Sequence, residues 1–126
     1  MTMRVPEAPA GGWGELGLCP EGEQDLVIKN VSEEKENKNG QMFYTVTFKR
    51  AGGAPDEDAI FQYVPVGGVT QRELLLAMNI DPEENANTEF TLKDRVVNAT
   101  IWHNEKATDA SGATVTKAQI RKFNRR

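Results

Sequence analysis

The stretch RVVNATIWHN, residues 95–104, is the most informative part of the chain because, as a strand, it has one apolar face and one polar face, and Trp102 falls on the polar one. Side chains alternate between the two faces of a β-strand. Val97, Ala99 and Ile101 then share one face, which suits a core. The other face is largely polar, and it holds Val96, Asn98, Thr100 and Trp102. A tryptophan on a polar strand face needs a reason, and a flat ligand stacked on the indole ring would supply one.

The bulk composition predicts one globular domain. A chain of 126 residues and 14.0 kDa is long enough to bury a single core. Its composition, 38% hydrophobic and 27% charged, is polar, but the apolar residues cluster in runs, which is not typical of disorder. No apolar stretch approaches the ~20 residues of a membrane span. The first twelve residues lack the features of a signal peptide, so we expect a cytoplasmic protein without membrane partners.

The single cysteine and the single histidine limit the available chemistry. Cys19 cannot form an internal disulfide, and we expect it to pack as a small apolar side chain. His103 alone leaves too few soft ligands for a zinc site. The acidic runs at 56–58 and 81–84 lack the spacing of a calcium loop and are typical of solvated turns. We therefore expect no metal and no cofactor.

Charge is distributed unevenly along the chain, whose formal net charge is −4. The last ten residues, KAQIRKFNRR, contain five basic residues and no acidic one, whereas the preceding 116 residues sum to −9. A basic end on an acidic body often marks an interaction segment, but it is equally compatible with the solvated fringe of a final strand. Local potential matters more than net charge when the partner is a strand of phosphates.

Residues 1–23 are predicted to form an extended or flexible leader before a domain at 24–126. The leader is rich in Pro, Gly and Glu, with Trp13, Leu16 and Leu18 as the side chains that could hold it to the domain. Its GWGELG matches a dinucleotide fingerprint, but that mechanism needs a strand before it and a helix after it. Neither is indicated, so we reject a nucleotide-binding fold.

From residue 24 the sequence alternates in the manner of β-strands. Residues 24–31 form the first predicted strand, and the charged segment 32–40 ends in Asn39-Gly40, a strong hairpin signal. Residues 41–50 follow as the second strand and 59–66 as the third. The second strand is predicted to point Met42, Tyr44, Val46 and Phe48 inward and Phe43, Thr45, Thr47 and Lys49 outward.

A helix is predicted over residues 70–80, with Thr70 as its N-cap and Glu73 completing a capping box. Its apolar stripe is Leu74, Leu75, Met78 and Ile80. Two more strands, at 95–104 and 114–123, complete the chain. This order predicts an all-β fold: a small β-barrel of the OB-fold type, with five strands and one short helix between the third and fourth. An SH3-like or other small barrel stays open as the alternative.

Catalysis is not indicated by the sequence. Ser32 and Ser111 lie in loop-like contexts, and His103 has no recognisable partner for a triad or for general acid–base work. We therefore expect a protein that is not an enzyme.

Aromatic and basic side chains near the predicted strands indicate a single-stranded nucleic acid as ligand. Proteins that bind single strands combine aromatic surfaces for bases with cations for phosphates. Phe43 and Trp102 are the predicted stacking residues. The candidate contacts are Lys29, Lys35, Lys38, Phe43, Lys49, Arg50, Tyr63, Trp102, Lys106, Arg121 and Lys122.

A core position is the competing interpretation of these aromatic residues. Phe61 and Tyr63 alternate with Gln62, so either face of their strand could be the inner one, and we expect the core for this pair. For Phe43 and Trp102, the sequence is equally compatible with packing under the helix or leader and with exposure to solvent. Exposed aromatic residues also form contacts between copies of a protein, so a homo-oligomer stays open.

Two parts of the chain resemble small phage-encoded OB-fold proteins. The first is EEKENKNGQMFYTVTFK, residues 33–49, which is similar to their opening hairpin. The second is LKDR at 92–95, followed by a strand that ends in IWH, a Gly-containing turn and QIRKF at 119–123. The resemblance covers residues 24–124. Such proteins occur among phage replication and recombination genes, and several bind single-stranded DNA. By strand position, the resemblance implies binding roles for Phe43, Lys49, Trp102 and Arg121.

One feature departs from that family, because many single-strand binders end in an acidic tail, whereas this chain ends in Asn124, Arg125 and Arg126. The resulting hypothesis is a sequence-tolerant single-stranded DNA-binding protein of phage or bacterial replication, recombination or repair, located in the host cytoplasm if it is phage-encoded. RNA is left open as a ligand. The alternative is a non-catalytic β-barrel module for protein interaction or assembly.

Overall fold

The computed structural model describes residues 2–4 and 17–125. The predictions for residues 5–16, which include most of the leader, Trp13 and Leu16, lie outside this part of the chain. The described residues form six strands and one helix: β1 (Gly22–Val31), β2 (Lys35–Glu36), β3 (Met42–Arg50), β4 (Ile60–Pro65), α1 (Val69–Ala77), β5 (Val96–Thr108) and β6 (Thr114–Asn124). The prediction of an all-β fold with one short helix is thus confirmed.

All six strands belong to one antiparallel sheet. β3 pairs with β4 along one edge and with β1 and β2 along the other, β1 pairs with β5, and β5 pairs with β6. β4 and β6, at the two ends of this path, have Cα atoms within 8 Å of each other. They share no hydrogen-bonded ladder among the described residues, so the sheet is not closed and the predicted barrel is wrong in this respect.

The sheet has six strands instead of the predicted five because the chain pairs twice with the same edge of β3. β1 ends at Val31, and Ser32 then donates its N–H to the Thr45 carbonyl while its Oγ accepts the Thr45 N–H, at 2.9 and 2.8 Å. The two residues of β2 resume the pairing opposite Met42 and Phe43. The predicted turn at Asn39-Gly40 is confirmed, and the φ of +78° at Gly40 is one that favours glycine.

One side of the sheet forms the core, as the predicted alternation requires. Val97, Ala99 and Ile101 are buried together with Val46 and Phe48 of β3. The same cluster contains Leu26 and Ile28 of β1, Ile60 and Val64 of β4, Leu74 of α1, Phe123 of β6 and Cys19. Met42 and Tyr44, predicted to point inward, are only half-buried at the start of β3.

β4 corrects the prediction that Phe61 and Tyr63 pack in the core. Its register places Ile60 opposite Phe48 and Val64 opposite Tyr44, so Ile60 and Val64 point inward and are 2% exposed each. Phe61 and Tyr63 therefore point outward, where they are 70% and 44% exposed. The strand has apolar residues at both alternating sets of positions, and pairing with β3 selects the inner set.

The helix begins one residue earlier than predicted and without the predicted capping box. Gly68 is the N-cap, no side chain caps it, and Gln71 Oε1 instead accepts the Gly67 N–H at 2.7 Å. The helix ends at Ala77, before a left-handed Asn79 with a φ of 60°. No helix in the described ranges combines the length and apolar character needed to cross a bilayer.

The segment before β1 is held against the sheet by His103. The ring atom Nε2 lies 2.7 Å from the Cys19 carbonyl oxygen, and Nδ1 lies 3.7 Å from Glu21 Oε1. Leu18 and Cys19 are buried, which agrees with the expectation that Cys19 packs as a small apolar side chain. His103 therefore has a structural role that needs no catalytic partner.

The Cys19 thiol is expected to react slowly with thiol reagents in the folded protein. Burial, with a smaller contribution from the Glu57 carboxylate, raises its pKa from 9.0 to about 11. Ionisation alone should then slow alkylation at pH 8 by about 100-fold relative to the unfolded chain. Iodoacetamide labelling followed by mass spectrometry, with and without urea, measures this ratio. Equal rates in both conditions would contradict the buried position.

β5 and β6 form a long hairpin that extends beyond the part of β5 paired with β1. β1 pairs only with Val96–Ile101, so the residues beyond Ile101 have β6 as their only strand neighbour among the described residues. The strand continues to Thr108, past the predicted end at Asn104, through a bulge between Asn104 and Ala107. We call residues 102–117 the β5–β6 arm.

Candidate nucleic-acid interface

Three aromatic side chains share the outer side of β3 and β4. In an antiparallel ladder, residues directly opposite each other point to the same side. Phe43 lies opposite Pro65, Tyr63 opposite Thr45 and Phe61 opposite Thr47. All of them point away from the core, because Val46 and Phe48 at the alternate positions are buried. We call Phe43, Phe61 and Tyr63 the aromatic face.

Contacts between strands and loop hold part of the aromatic face in place. The rings of Phe43 and Tyr63 have centroids 4.7 Å apart and are inclined by 39°. The Tyr63 hydroxyl accepts a hydrogen bond of 2.9 Å from Asn37 Nδ2. Asn37 belongs to the turn after β2, and its Oδ1 also accepts the N–H groups of Asn39 and Gln41. The turn and the aromatic face are therefore parts of one surface.

Lysine side chains border the aromatic face. Lys35 lies opposite Phe43 and is exposed, and Lys49 lies on the same side of β3, where its Nζ donates to the Pro55 carbonyl at 2.9 Å. Lys29 is exposed at the bulge in β1, and Lys38 is exposed in the turn after β2. Neither β3 nor β4 contains an acidic residue. The surface thus combines rings with positive charge, although the whole chain carries −4.

Arg50, a predicted contact, forms hydrogen bonds with a carboxylate. Its Nε lies 3.1 and 3.2 Å from the two Glu57 oxygens, and its Nη2 lies 2.9 Å from Oε1. The Glu57 side chain is 9% exposed and that of Arg50 22%. This hydrogen bonding also raises the pKa of Arg50 above its ordinary value. The pair fixes the turn between β3 and β4, so Arg50 is not part of the interface that we propose.

Trp102 is neither in the core nor fully exposed. It lies half-buried on the outer side of β5, opposite Gln119, and the guanidinium carbon of Arg121 lies 5.7 Å from the centre of its ring. A guanidinium over an indole face is the geometry of a cation–π contact. Lys122 is exposed opposite Thr100 on the same side, and Lys106 is exposed in the bulge of β5.

The structure does not bring Trp102 and Phe43 together, although both are predicted stacking residues. β1 lies between their strands. Trp102 follows Ile101, which pairs with Gly22 at the start of β1, whereas Phe43 precedes Val46, which pairs with Val31 at the end of β1. The length of β1 therefore separates them, and the predicted contacts divide into two surfaces.

Phe61 is the residue that the sequence-based site prediction missed. It is the most exposed member of the aromatic face, at 70%. One signal could have found it: Tyr63 carries a hydroxyl that needs a partner when buried, whereas Ile60 and Val64 do not. That difference favours Ile60 and Val64 as the inner set, and Phe61 then shares the outer face with Tyr63.

A cleft on the inner side of the sheet is separate from the aromatic face. It has a volume of about 670 Å³ and lies between α1, the segment 80–93 and the ends of β1, β3 and β4. Val31, Tyr44, Leu75 and Phe90 are among its lining residues. Burial, and secondarily the carboxylates of Glu34 and Glu89, raise the pKa of Tyr44. Most of its lining is apolar or uncharged, and Glu89 and Lys93 are the charged residues in it.

No protein-family model matches this chain, and no curated protein matches it either. Within the described residues, no group of three or more His, Cys, Asp or Glu side chains is arranged to hold a metal ion.

Proposed function

We propose that the protein binds single-stranded DNA without sequence preference and without catalysis. The aromatic face carries this proposal, because three rings share one outer surface and Phe61 is 70% exposed on it. Single-strand binders stack bases on aromatic rings and track the phosphates with cations. Phe43, Phe61 and Tyr63 supply the first element. The second is supplied by Lys29, Lys35, Lys38 and Lys49.

The strand connectivity supports the proposal. The path β4-β3-β1-β5-β6, with α1 between β4 and β5, is the order of an OB-fold that has stayed open between its third and fifth strands. Here β1 and β2 count as one interrupted strand, so that β3 and β4 correspond to the second and third strands. OB-folds bind oligonucleotides on the face of those two strands.

A net charge of −4 by itself disfavours binding of nucleic acid, but the acidic residues are distributed unevenly among the strands. The chain contains 19 acidic residues, but none lies in β3, β4 or β6. The negative charge is therefore concentrated in loops and in the other elements. A nucleic acid strand that follows β3 and β4 meets lysines at the edges of the surface and rings in its centre, with no carboxylate on either strand.

The cellular role in this proposal is replication, recombination or repair of phage or bacterial DNA, in the cytoplasm of the bacterial cell. It draws on the resemblance of residues 33–49 and 92–123 to phage-encoded OB-fold proteins. Base stacking does not by itself distinguish DNA from RNA. Binding of RNA is therefore one of the outcomes to be measured.

A protein-interaction module is the second candidate, and the same surface favours it. The rings of Phe43 and Tyr63 are in contact and Phe61 is exposed on β4, so the aromatic face is also an apolar patch. Patches of this kind mark contacts between proteins as well as contacts with ligands. This candidate predicts a stable oligomer or protein complex whose formation depends little on salt.

Titration of a fluorescent oligo-dT, followed by anisotropy at several salt concentrations, tests the proposal. We expect saturable binding that weakens with salt, with a slope of about −2 if three phosphates are neutralised. A duplex of the same length is the control, and it should bind more weakly because its bases are not free to stack. No binding of the single strand at low salt, together with an oligomer in sedimentation, would favour the protein-interaction module.

A further inference from the structure

A second surface that combines basic side chains with an aromatic ring lies on the outer side of β5 and β6, outside the aromatic face. β6 contains Lys117, Arg121 and Lys122 and no acidic residue. Lys117 and Lys122 lie opposite the outer residues Asn104 and Thr100, and Arg121 lies between Ile120 and Lys122 at a bulge, with its guanidinium over Trp102. We call Lys117, Arg121 and Lys122, together with Trp102, the basic strip.

The contact between Trp102 and Arg121 gives the basic strip a flat surface on which a base can stack. The guanidinium lies over the indole with 5.7 Å between its central carbon and the ring centre, so it covers one face of the half-buried ring. The plane of an arginine guanidinium is itself a surface on which a base can stack. Lys122, exposed one residue further along β6, is placed for a neighbouring phosphate.

Neighbouring charges limit where a nucleic acid strand can run across this surface. Glu23 of β1 lies opposite Thr100, and Thr100 lies opposite Lys122, so a carboxylate borders the strip on the β1 side. On β6 itself the charges are all positive. The Lys117 ammonium group donates a hydrogen bond of 3.1 Å to the Thr108 carbonyl, which holds its charge within the β5–β6 arm. The favourable path therefore follows β6 and avoids β1.

We propose that the basic strip is a second contact for the same single strand of DNA that the aromatic face binds. The proposal rests on the proposed function and adds to it the length of strand that the protein needs. Along the hydrogen-bonded path the two surfaces are separated by β1, and Phe43 and Trp102 lie toward opposite ends of it, whereas β4 and β6 approach each other on the other side with Cα atoms within 8 Å. A short oligonucleotide occupies only the aromatic face, whereas a longer strand continues to the basic strip.

Affinity is therefore expected to rise in two stages with oligonucleotide length. When one strand reaches both surfaces, the second contact forms at a high effective concentration and raises affinity beyond that of either surface alone. The range of lengths to examine is about 4 to 16 nucleotides, the span of site sizes for single OB-folds. The number of salt-sensitive phosphate contacts should increase at the same length as the affinity.

The test compares short and long oligo-dT binding to a double variant, Arg121→Glu with Lys122→Glu. Both side chains are exposed, so the fold should tolerate the change, which circular dichroism checks. We expect at least about a 10-fold loss of affinity for the long oligomer and almost none for the short one. The salt slope for the long oligomer should fall by about 1.4, or 0.7 for each lost phosphate contact.

The matched control is Arg72→Glu, which reverses a charge on α1, where the side chain is 63% exposed and lies 4.0 Å from Glu83. It should leave binding of both oligomers unchanged. A second readout is Trp102 fluorescence in a Trp13→Phe background, where we expect quenching by the long oligomer only. The chain has two tryptophans, so this background leaves one indole.

Each outcome separates this inference from the proposed function. No loss for either length would overturn the two-surface proposal while leaving the aromatic face as the binding site. Equal losses for both lengths would also overturn it, because the short oligomer would then contact the basic strip. Absence of binding at every length for the unmodified protein would overturn the proposed function and the second contact together.

Discussion

Phe61→Ala is expected to weaken binding of oligo-dT by about 5- to 150-fold while leaving the fold intact. Removing a ring that stacks on a base costs about 1–3 kcal/mol of binding free energy. The side chain is 70% exposed in the free protein, so its loss removes little packing. Anisotropy titrations give the dissociation constants, and thermal denaturation shows whether stability has changed.

Two controls make the Phe61 result specific to stacking. Val69→Ala truncates another exposed apolar side chain, 73% accessible on α1, and should leave binding unchanged. Tyr63→Phe removes only the hydroxyl that accepts from Asn37 and keeps the ring, so it should weaken binding far less than Tyr63→Ala. Unchanged affinity in Phe61→Ala, Tyr63→Ala and Phe43→Ala alike would contradict a stacking role for the aromatic face.

Phe48→Ala is expected to lower the free energy of unfolding by about 3–5 kcal/mol. Phe48 is fully buried in β3, opposite Ile28 and Ile60, and its ring centroid lies 5.7 Å from that of Phe123. Truncation leaves a cavity among side chains that belong to four strands, so the surroundings cannot collapse onto it easily. Urea denaturation followed by circular dichroism measures the loss.

The comparison of Phe48→Ala with Phe61→Ala tests the assignment of the two faces directly. Domains of this kind have total stabilities of about 5–15 kcal/mol, so the Phe48 change should remove a large share. The Phe61 change should remove almost none. Equal losses of stability in the two variants would mean that Phe61 is packed in a core, and the exposed aromatic face would then not exist.

Local pattern was sufficient to predict the inner side of the sheet wherever only one set of alternating positions is apolar. Val97, Ala99 and Ile101 were predicted as core residues from the alternation of one strand, and they are buried. Phe61 and Tyr63 were predicted wrongly because Ile60 and Val64 give β4 a second apolar set. Which set points inward is fixed by the register with β3, and within β4 only the hydroxyl of Tyr63 indicates that choice.

The pairing of Arg50 with Glu57 and the interruption between β1 and β2 also could not be predicted from the sequence. Arg50 was a predicted DNA contact, but the turn between β3 and β4 folds Glu57 against it. Ser32 hydrogen-bonds to Thr45 directly after β1, and β2 then pairs with β3 within the segment 32–40 that was predicted to be a loop. Both outcomes depend on residues brought close by turns, and hydrophobic periodicity carries no information about such contacts.

The two-surface arrangement follows from the order of strands in the sheet. Phe43 and Trp102 were predicted to act together because both are aromatic and lie on strands. Their separation is fixed by β1, which pairs with β3 along one edge and β5 along the other. Strand order is a property of the whole fold, so a list of candidate contacts could not reveal that they divide into two groups.

The most direct test of the central claim is a titration of isotope-labelled protein with short oligo-dT, followed by amide chemical shifts in NMR spectra. Binding at the aromatic face predicts the largest changes at Thr45, Thr47, Phe61 and Tyr63, with saturation at one strand per protein. Changes confined to other parts of the chain, or no change at low salt, would contradict the account that β3 and β4 present a surface for single-stranded DNA.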